Sequence, residues 1–241
     1  SRPRSSGVNA ITIQEGDELL NVALTNGSSY ILMGVKSGRA ICFEETKVRN
    51  TGRGAIGVFG IELDDENDET IGMICVHKED KNKQILVVSE KGLGKRTPFF
   101  EIDEETKEEV TTYRVTNRGG KGVKTINITE KTGNLVAIKE VNDNNDLMII
   151  TKAGILIRTS VAELRVMGRN TQGVKLIRLK NESDEISSVT KIEKEPEPEE
   201  VEVVDGVELV DGVEATSAVT EAPEGGEETA SEASAEEVTE E

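Results

Sequence analysis

The chain has 241 residues, 35% of them hydrophobic and 2% aromatic, with a formal net charge of −18. That length suits one large domain or two small ones; no run of about 18 apolar residues is present to cross a membrane as a helix, and no charged-then-apolar leader marks secretion. The charge is uneven: from Glu193 onward there are 19 acids and one lysine, leaving 28 acids and 28 bases in residues 1–192, so the body is neutral and can still present a basic face.

The elements follow a repeated plan. Residues 8–13 alternate apolar and polar as a half-buried strand does, after a turn made by Arg2, Pro3, Arg4, Ser5, Ser6 and Gly7. Residues 19–24 read as a strand, and Asn26-Gly27 supplies a hairpin turn into the nearly continuous apolar strand 30–35. Ser37-Gly38 turns the chain into strand 39–43. A second unit repeats this with 71–76, 84–88, the turn Lys91-Gly92 and 93–99, lengthened by polar insertions at 77–83 and 101–112. A third uses 135–141, 147–150, Ala153-Gly154 and 155–159, and 186–192 reads as one more strand. Ser1 is not a start methionine, so a piece of a longer protein or a processed product is expected.

Between the units the chain writes Gly-Val-x-x-Ile four times, at residues 7–11, 57–61, 122–126 and 173–177. The glycines stand 50, 65 and 51 residues apart, and each turn has a base just upstream: Arg4, Arg53, Arg118 with Lys121, and Arg169. Four short strands per repeat with little helical periodicity point to an all-β array of about three four-stranded antiparallel blades, such as a propeller. A single blade cannot bury both faces alone, so neighbours are required.

The richest turn is Asn117-Arg118-Gly119-Gly120-Lys121-Gly122-Val123-Lys124. Consecutive glycines let backbone N–H groups approach a phosphate, and flanking Arg and Lys add charge that releases counterions on binding. Arg53, Arg118, Lys121, Lys124 and Arg169 are then equivalent positions on a rim, and contacts of this kind position a duplex without reading its sequence. The same glycines equally suit plain blade turns with solvated bases, and the residues alone leave both readings open. Lys95, Arg96 and Arg158 fit a solvated strand face as well as a nucleic-acid contact. The scarcity of aromatics disfavours base-stacking modules for single strands.

Catalytic patterns fail on context. Gly52-Arg53-Gly54-Ala55-Ile56-Gly57 fits Gly-x-Gly-x-x-Gly, but a strand rather than a helix follows it, which argues against dinucleotide binding. His77 is the only histidine and opens a polar insertion as a surface residue without a ligand set, so no metal site is expected. Tyr30 belongs to a core strand, and Tyr113 reads as packing or a minor DNA contact. Cys42 and Cys75 lie in apolar runs without Cys-x-x-Cys spacing and read as reduced core residues.

Three stretches carry a resemblance: Val35-Lys36-Ser37-Gly38-Arg39-Ala40, the Gly52 to Ile61 turn, and Val166-Met167-Gly168-Arg169-Asn170-Thr171-Gln172-Gly173-Val174. With their order and the acidic tail, they resemble the family of DNA gyrase A C-terminal domains over residues 1–192. The resemblance implies a β-pinwheel, a propeller-like ring of six four-stranded blades with duplex DNA wrapped on a basic outer rim. This chain would hold the last three blades and the end of the one before. It also implies double-stranded DNA and the gyrase B protein as partners in an A2B2 holoenzyme, no membrane, a cytoplasmic location and a share in the ATP-dependent negative supercoiling performed by a type II topoisomerase. No catalytic residue and no cofactor are expected in this chain, ATP and magnesium belonging to the rest of the holoenzyme. The breakage-reunion domain and the first blade, with its Gln-Arg-Arg-Gly-Gly-Lys-Gly box, are not in the chain; Thr116 to Gly122 matches five of seven box positions, Thr116 and Asn117 replacing Gln and Arg. The equivalent domain of topoisomerase IV, and a propeller-type scaffold whose bases bind acidic proteins, stand as alternatives.

Residues 193–241 lack sustained apolar periodicity and read as a disordered acidic tail. Such a tail is either a solubilising extension or a DNA mimic that folds back on the basic rim. Its Val-Asp-Gly-Val-Glu repeat, at 204–208 and 210–214, is assigned no fold.

Overall fold

The structure, a computed structural model, describes residues 7–179, 181 and 183–194. Arg4 and the acidic tail from residue 195, including its short repeat, lie outside the described residues. The chain divides between Pro196 and Glu197, and the architecture below is that of the first unit.

The strands are β1 (Ser29–Val35), β2 (Arg39–Glu44), β3 (Thr70–His77), β4 (Gln84–Ser89), β5 (Leu93–Pro98), β6 (Phe100–Ile102) and β7 (Glu109–Thr111). They continue with β8 (Val123–Lys124), β9 (Leu135–Val141), β10 (Asn145–Thr151), β11 (Leu156–Ser160), β12 (Val174–Lys175) and β13 (Ile186–Glu193). Apart from two single 3-10 turns, all regular structure among the described residues is β. The blades are antiparallel sheets of order β3-β1-β2-β8, β9-β4-β5-β12 and β13-β10-β11.

Their sequence explains where the blades bury. β4 is apolar from Ile85 to Val88 because both its faces are covered. Ile85 and Val87 face the first blade, packing with its Leu32 and Val76, while Leu86 and Val88 pack with Leu147, Ile149 and Val189 of the third. Each such side chain, fully buried, contributes about 1.5–3 kcal/mol. The central strand of every blade also shifts register against its inner neighbour near its end, at Gly34/Val35, Val88/Ser89 and Ile150/Thr151. The irregularity thus recurs at the equivalent position of all three blades.

The propeller-type expectation holds, but its blades are interlocked and not contiguous. Strands β3 and β9, expected to open units, each close one, and β13 likewise closes the last, all three pairing with the hairpin that precedes them. The short outer strands reach back one blade: β8 follows the Gly122 turn and pairs with β2, and β12 follows the Gly173 turn and pairs with β5. Among the described residues the third blade has three strands rather than four.

Other differences follow from the same rule. Residues 19–24 form no strand: among the described residues no hairpin lies beside them, and without ladder partners Leu19, Leu20, Val22 and Leu24 stay exposed. Residues 8–13 form no strand either, for the same reason. The insertion at 101–112 carries an unforeseen two-stranded sheet, β6-β7, braced by Phe100 packing edge-on to Phe99 at 4.9 Å. His77 is half-buried at the end of β3, its Nδ1 2.9 Å from Ser29 Oγ, and not a surface residue. Both cysteines are free, Cys42 buried and Cys75 half-buried. No helix among the described residues is long and apolar enough to cross a membrane.

Candidate nucleic-acid interface

The Gly122 and Gly173 turns owe their shape to close approach. Their φ values are +69° and +81°, and a Cβ would lie 2.5 Å from the carbonyl oxygen of Ala40 or Gly94, on the hairpin that receives the turn. Only glycine lets the chain lie that flat on the sheet edge.

Successive turns are chained by one hydrogen bond written three times. The N–H five residues after a turn glycine donates to the carbonyl two residues before the next: Thr12 to Ala55 at 3.0 Å, Glu62 to Gly120 at 3.0 Å and Asn127 to Thr171 at 3.1 Å. Arginine side chains reinforce the chain. Arg118 donates from Nη1 to Phe59 O and from Nε to Lys47 O, both at 3.1 Å, and Arg169 donates from Nη1 to Lys124 O at 2.7 Å. Phe59 and Lys124 both stand two residues after the preceding turn glycine, so the two arginines make the same link in successive blades.

The predicted site residues thus separate into kinds. Arg118 and Arg169 are half-buried and held to backbone carbonyls. Lys121 and Lys124 are exposed; Lys121 lies 3.6 Å from Glu62, and Lys124 has no side-chain partner among the described residues. Gly119 donates its N–H to Gly60 O at 2.6 Å, so that group is engaged within the fold rather than offered to a phosphate. Gly120 accepts from Glu62 and forms a bridge to Ile61. Arg53 has the same offset from its glycine as Arg118, yet it is exposed in a turn and its side chain is unpaired among the described residues. Lys175, the counterpart of Lys124 in the fourth turn, is exposed and was missed; its fixed distance from Gly173 is the signal that marks it.

Lys95 and Arg96 correct the reading of a solvated or DNA-facing strand. Lys95 is fully buried, its ammonium donating to Gly168 O at 2.7 Å, Thr171 Oγ1 at 3.0 Å and Arg169 O. Burial and the nearby Arg169 charge lower its pKa to about 8. Arg96 is buried too, donating to Leu164 O at 2.6 Å and Ala162 O at 3.2 Å and pairing with Asp143. Together with Thr97, which donates to Met167 O, they anchor the segment leading into the fourth turn. Arg158 pairs with Asp146 at 2.7 Å. Tyr113 is packing, fully buried with its hydroxyl on Thr125. Among the described residues no cluster of His, Cys, Asp or Glu has the arrangement of a metal site.

The chain matches the protein family described as DNA gyrase C-terminal domain, beta-propeller, over residues 1–26, 29–77, 83–104, 108–142 and 145–193. It belongs to that family. The matched segments beginning at 29 and 145 each open on a blade's hairpin and end on its inner strand, and those from 83 to 142 together do the same. Among curated relatives, the DNA gyrase A protein of Deinococcus deserti is 43% identical over 194 residues, covering 80% of this chain and 22% of that protein. The DNA gyrase A protein of Staphylococcus aureus (strain NCTC 8325 / PS 47) is 44% identical over 199 residues, covering 83% and 21%. The chain therefore spans little more than a fifth of the length of these relatives. Solved structures share the fold. The C-terminal domain of DNA topoisomerase IV superposes with a TM-score of 0.68 at 21% identity, covering 80% of this chain and 55% of that one. A DNA gyrase A C-terminal domain gives 0.63 at 24% identity, covering 77% and 58%.

Proposed function

We propose that this chain is the part of a gyrase A protein that binds and bends duplex DNA along its chained glycine turns. The observation that carries the reading is periodic: the three later turns each have an arginine four residues before the glycine, and hydrogen bonds hold successive turns in sequence. A curved row of weak backbone contacts suits bending, because a large bend costs several kcal/mol that no single contact supplies. In the whole protein this part would serve ATP-dependent negative supercoiling in the cytoplasm, with the gyrase B protein in an A2B2 assembly whose other domains hold ATP and magnesium. Arg53, Lys121 and Lys124 are the proposed contacts of the predicted set, with Arg4 in the first turn. The identity to gyrase A chains favours gyrase over topoisomerase IV.

The test is duplex binding by the 241-residue chain over a salt series, beside the same chain ending at Lys194, which keeps β13 whole. Log affinity should fall linearly with log salt, by about 0.9 per phosphate contacted, whatever the DNA sequence. Removing the acidic segment should strengthen binding at each salt. A folded chain that binds no duplex even at low salt, with or without that segment, would sink the reading.

A further inference from the structure

A second arginine precedes each of the three later turns, eight residues before its glycine: Arg49 before Gly57, Arg114 before Gly122 and Arg165 before Gly173. All three are exposed, and none has a side-chain hydrogen bond or ion pair among the described residues. They contrast with Arg118 and Arg169, whose guanidinium groups are committed to carbonyls.

The two rows meet in surface grooves. One groove, of about 1070 Å³, is lined by both Arg49 and Arg118; another, of about 620 Å³, is lined by both Arg114 and Arg169. In each, the free arginine of one turn lies with the committed arginine of the next, so the pairing recurs one blade on. The grooves differ in their other charges. The first adds Glu45 and no further base, whereas the second adds Lys78, Lys81 and Glu109. Lys78 pairs with Glu44 at 2.7 Å and Lys81 with Glu109. Lys78 also lies 5.0 Å from the ring centre of Tyr30 and Lys81 4.3 Å from that of Phe100, which holds both at the groove wall. Counting all these groups, the second groove is the more positive.

We propose that each groove is a subsite for a backbone phosphate of duplex DNA, the free arginine making the contact and the committed arginine fixing the opposite wall. A guanidinium presents a planar fork of donors matched to two phosphate oxygens, and one without internal partners can turn that fork outward. Arg118 has Nε and Nη1 engaged, so it contributes charge and shape more than free donors. The inference rests on the duplex-binding reading above and refines which residues carry it. Arg114 should count most, Arg49 less because Glu45 opposes a phosphate there, and Arg165 least, since it lines neither groove.

The experiment is the salt dependence of duplex affinity for the 241-residue chain and its variants Arg114→Ala, Arg114→Lys, Arg49→Ala and Lys152→Ala. Lys152 pairs with Glu185 and lines neither groove, so its loss controls for net charge. Arg114→Ala should make the log–log slope shallower by about 0.9, one phosphate contact. Arg49→Ala should change it by less, and Lys152→Ala should leave it alone. Arg114→Lys should keep the slope while binding more weakly, and the unfolding temperature of Arg114→Ala should match the parent because its side chain has no internal partner. If the parent binds duplex steeply with salt but Arg114→Ala shifts no more than Lys152→Ala, the groove assignment is wrong and the duplex reading stands. A parent that binds no duplex overturns both.

Discussion

The turns at Gly57 and Gly122 carry the same Gly-Val-x-x-Ile pattern with an arginine four residues upstream, and they end in different structures. After Gly122 the chain becomes β8 on the edge of β2, with Ile126 fully buried. After Gly57 it stays coil, with Phe59 85% exposed and Ile61 alone buried at 7%. The difference is the receiving edge. β8 has a hairpin of the preceding blade to complete, whereas no such hairpin stands beside the Gly57 turn among the described residues. A two-residue strand has no stability of its own, so the pattern specifies a strand only where another blade presents an edge.

Glycine substitution should separate the two turns most strongly. Gly122→Ala places a methyl 2.5 Å from Ala40 O at a φ of +69°. Left-handed strain of about 1–2 kcal/mol and overpacking of about 1–3 kcal/mol add to a loss near ~3 kcal/mol. Gly57→Ala meets no atom within 4 Å and keeps only the strain of its φ of +110°, roughly 1–2 kcal/mol. Urea unfolding midpoints would check this, and equal losses would mean that the Gly57 turn is seated in solution as firmly as its counterpart.

The anchoring of the fourth turn has a pH signature. Lys95 has a folded pKa lowered to about 8 by burial and by Arg169, against 10.5 in the unfolded chain. Between those values the unfolded chain binds the extra proton, so this group makes stability rise with pH. Cys42 and Tyr113 act oppositely: burial raises both to about 12, from 9.0 and 10.0, so the unfolded chain releases protons that the fold keeps. Stability should therefore climb from pH 8 to 9 by up to ~1.4 kcal/mol per unit, stop rising above pH 9, where the Cys42 thiol and the Cys75 thiol, also raised by burial, oppose it, and fall beyond pH 10. Lys95→Met should remove the rising limb alone. A wild-type profile already flat from pH 8 to 9 would mean that Gly168 O, Arg169 O and Thr171 Oγ1 keep the ammonium charged in spite of its burial.

These contrasts show where local sequence suffices. Residues 30–35, 84–88 and 135–141 were readable as strands because burial on both faces leaves an apolar run, and the hairpin turns at Ser37-Gly38 and Lys91-Gly92 sit where the structure has them. Residues 19–24 have the same composition and fail, because pairing depends on a neighbour that composition does not encode. The unit frame was misplaced for a related reason: the outer strand comes from the following repeat, and no periodicity within one repeat reports that exchange. Lys95 and Arg96 were misread because their carbonyl and hydroxyl acceptors, from Ala162 to Thr171, lie more than 60 residues along the chain. The basic turns were legible as a row. The division into free and committed arginines was not, since it depends on which carbonyl each guanidinium meets, although the second row stood at a fixed offset from its turn glycines.

The smallest expected effect bears on that division directly. Arg118→Ala removes two hydrogen bonds to the carbonyls of Lys47 and Phe59, at a half-buried site where each acceptor can partly recover with water. The loss should be about 1 kcal/mol. Arg53→Ala removes no bond seen among the described residues and should stay within about 0.5 kcal/mol of the parent. Arg118→Lys keeps the charge but gives one compact donor group in place of a planar fork, and two carbonyls approached from Nε and Nη1 do not both lie within its reach. It should therefore lose nearly as much as the alanine variant. Stability restored fully by lysine would assign Arg118 to the electrostatics of the rim; stability not restored would assign it to the geometry that spaces one turn from the next.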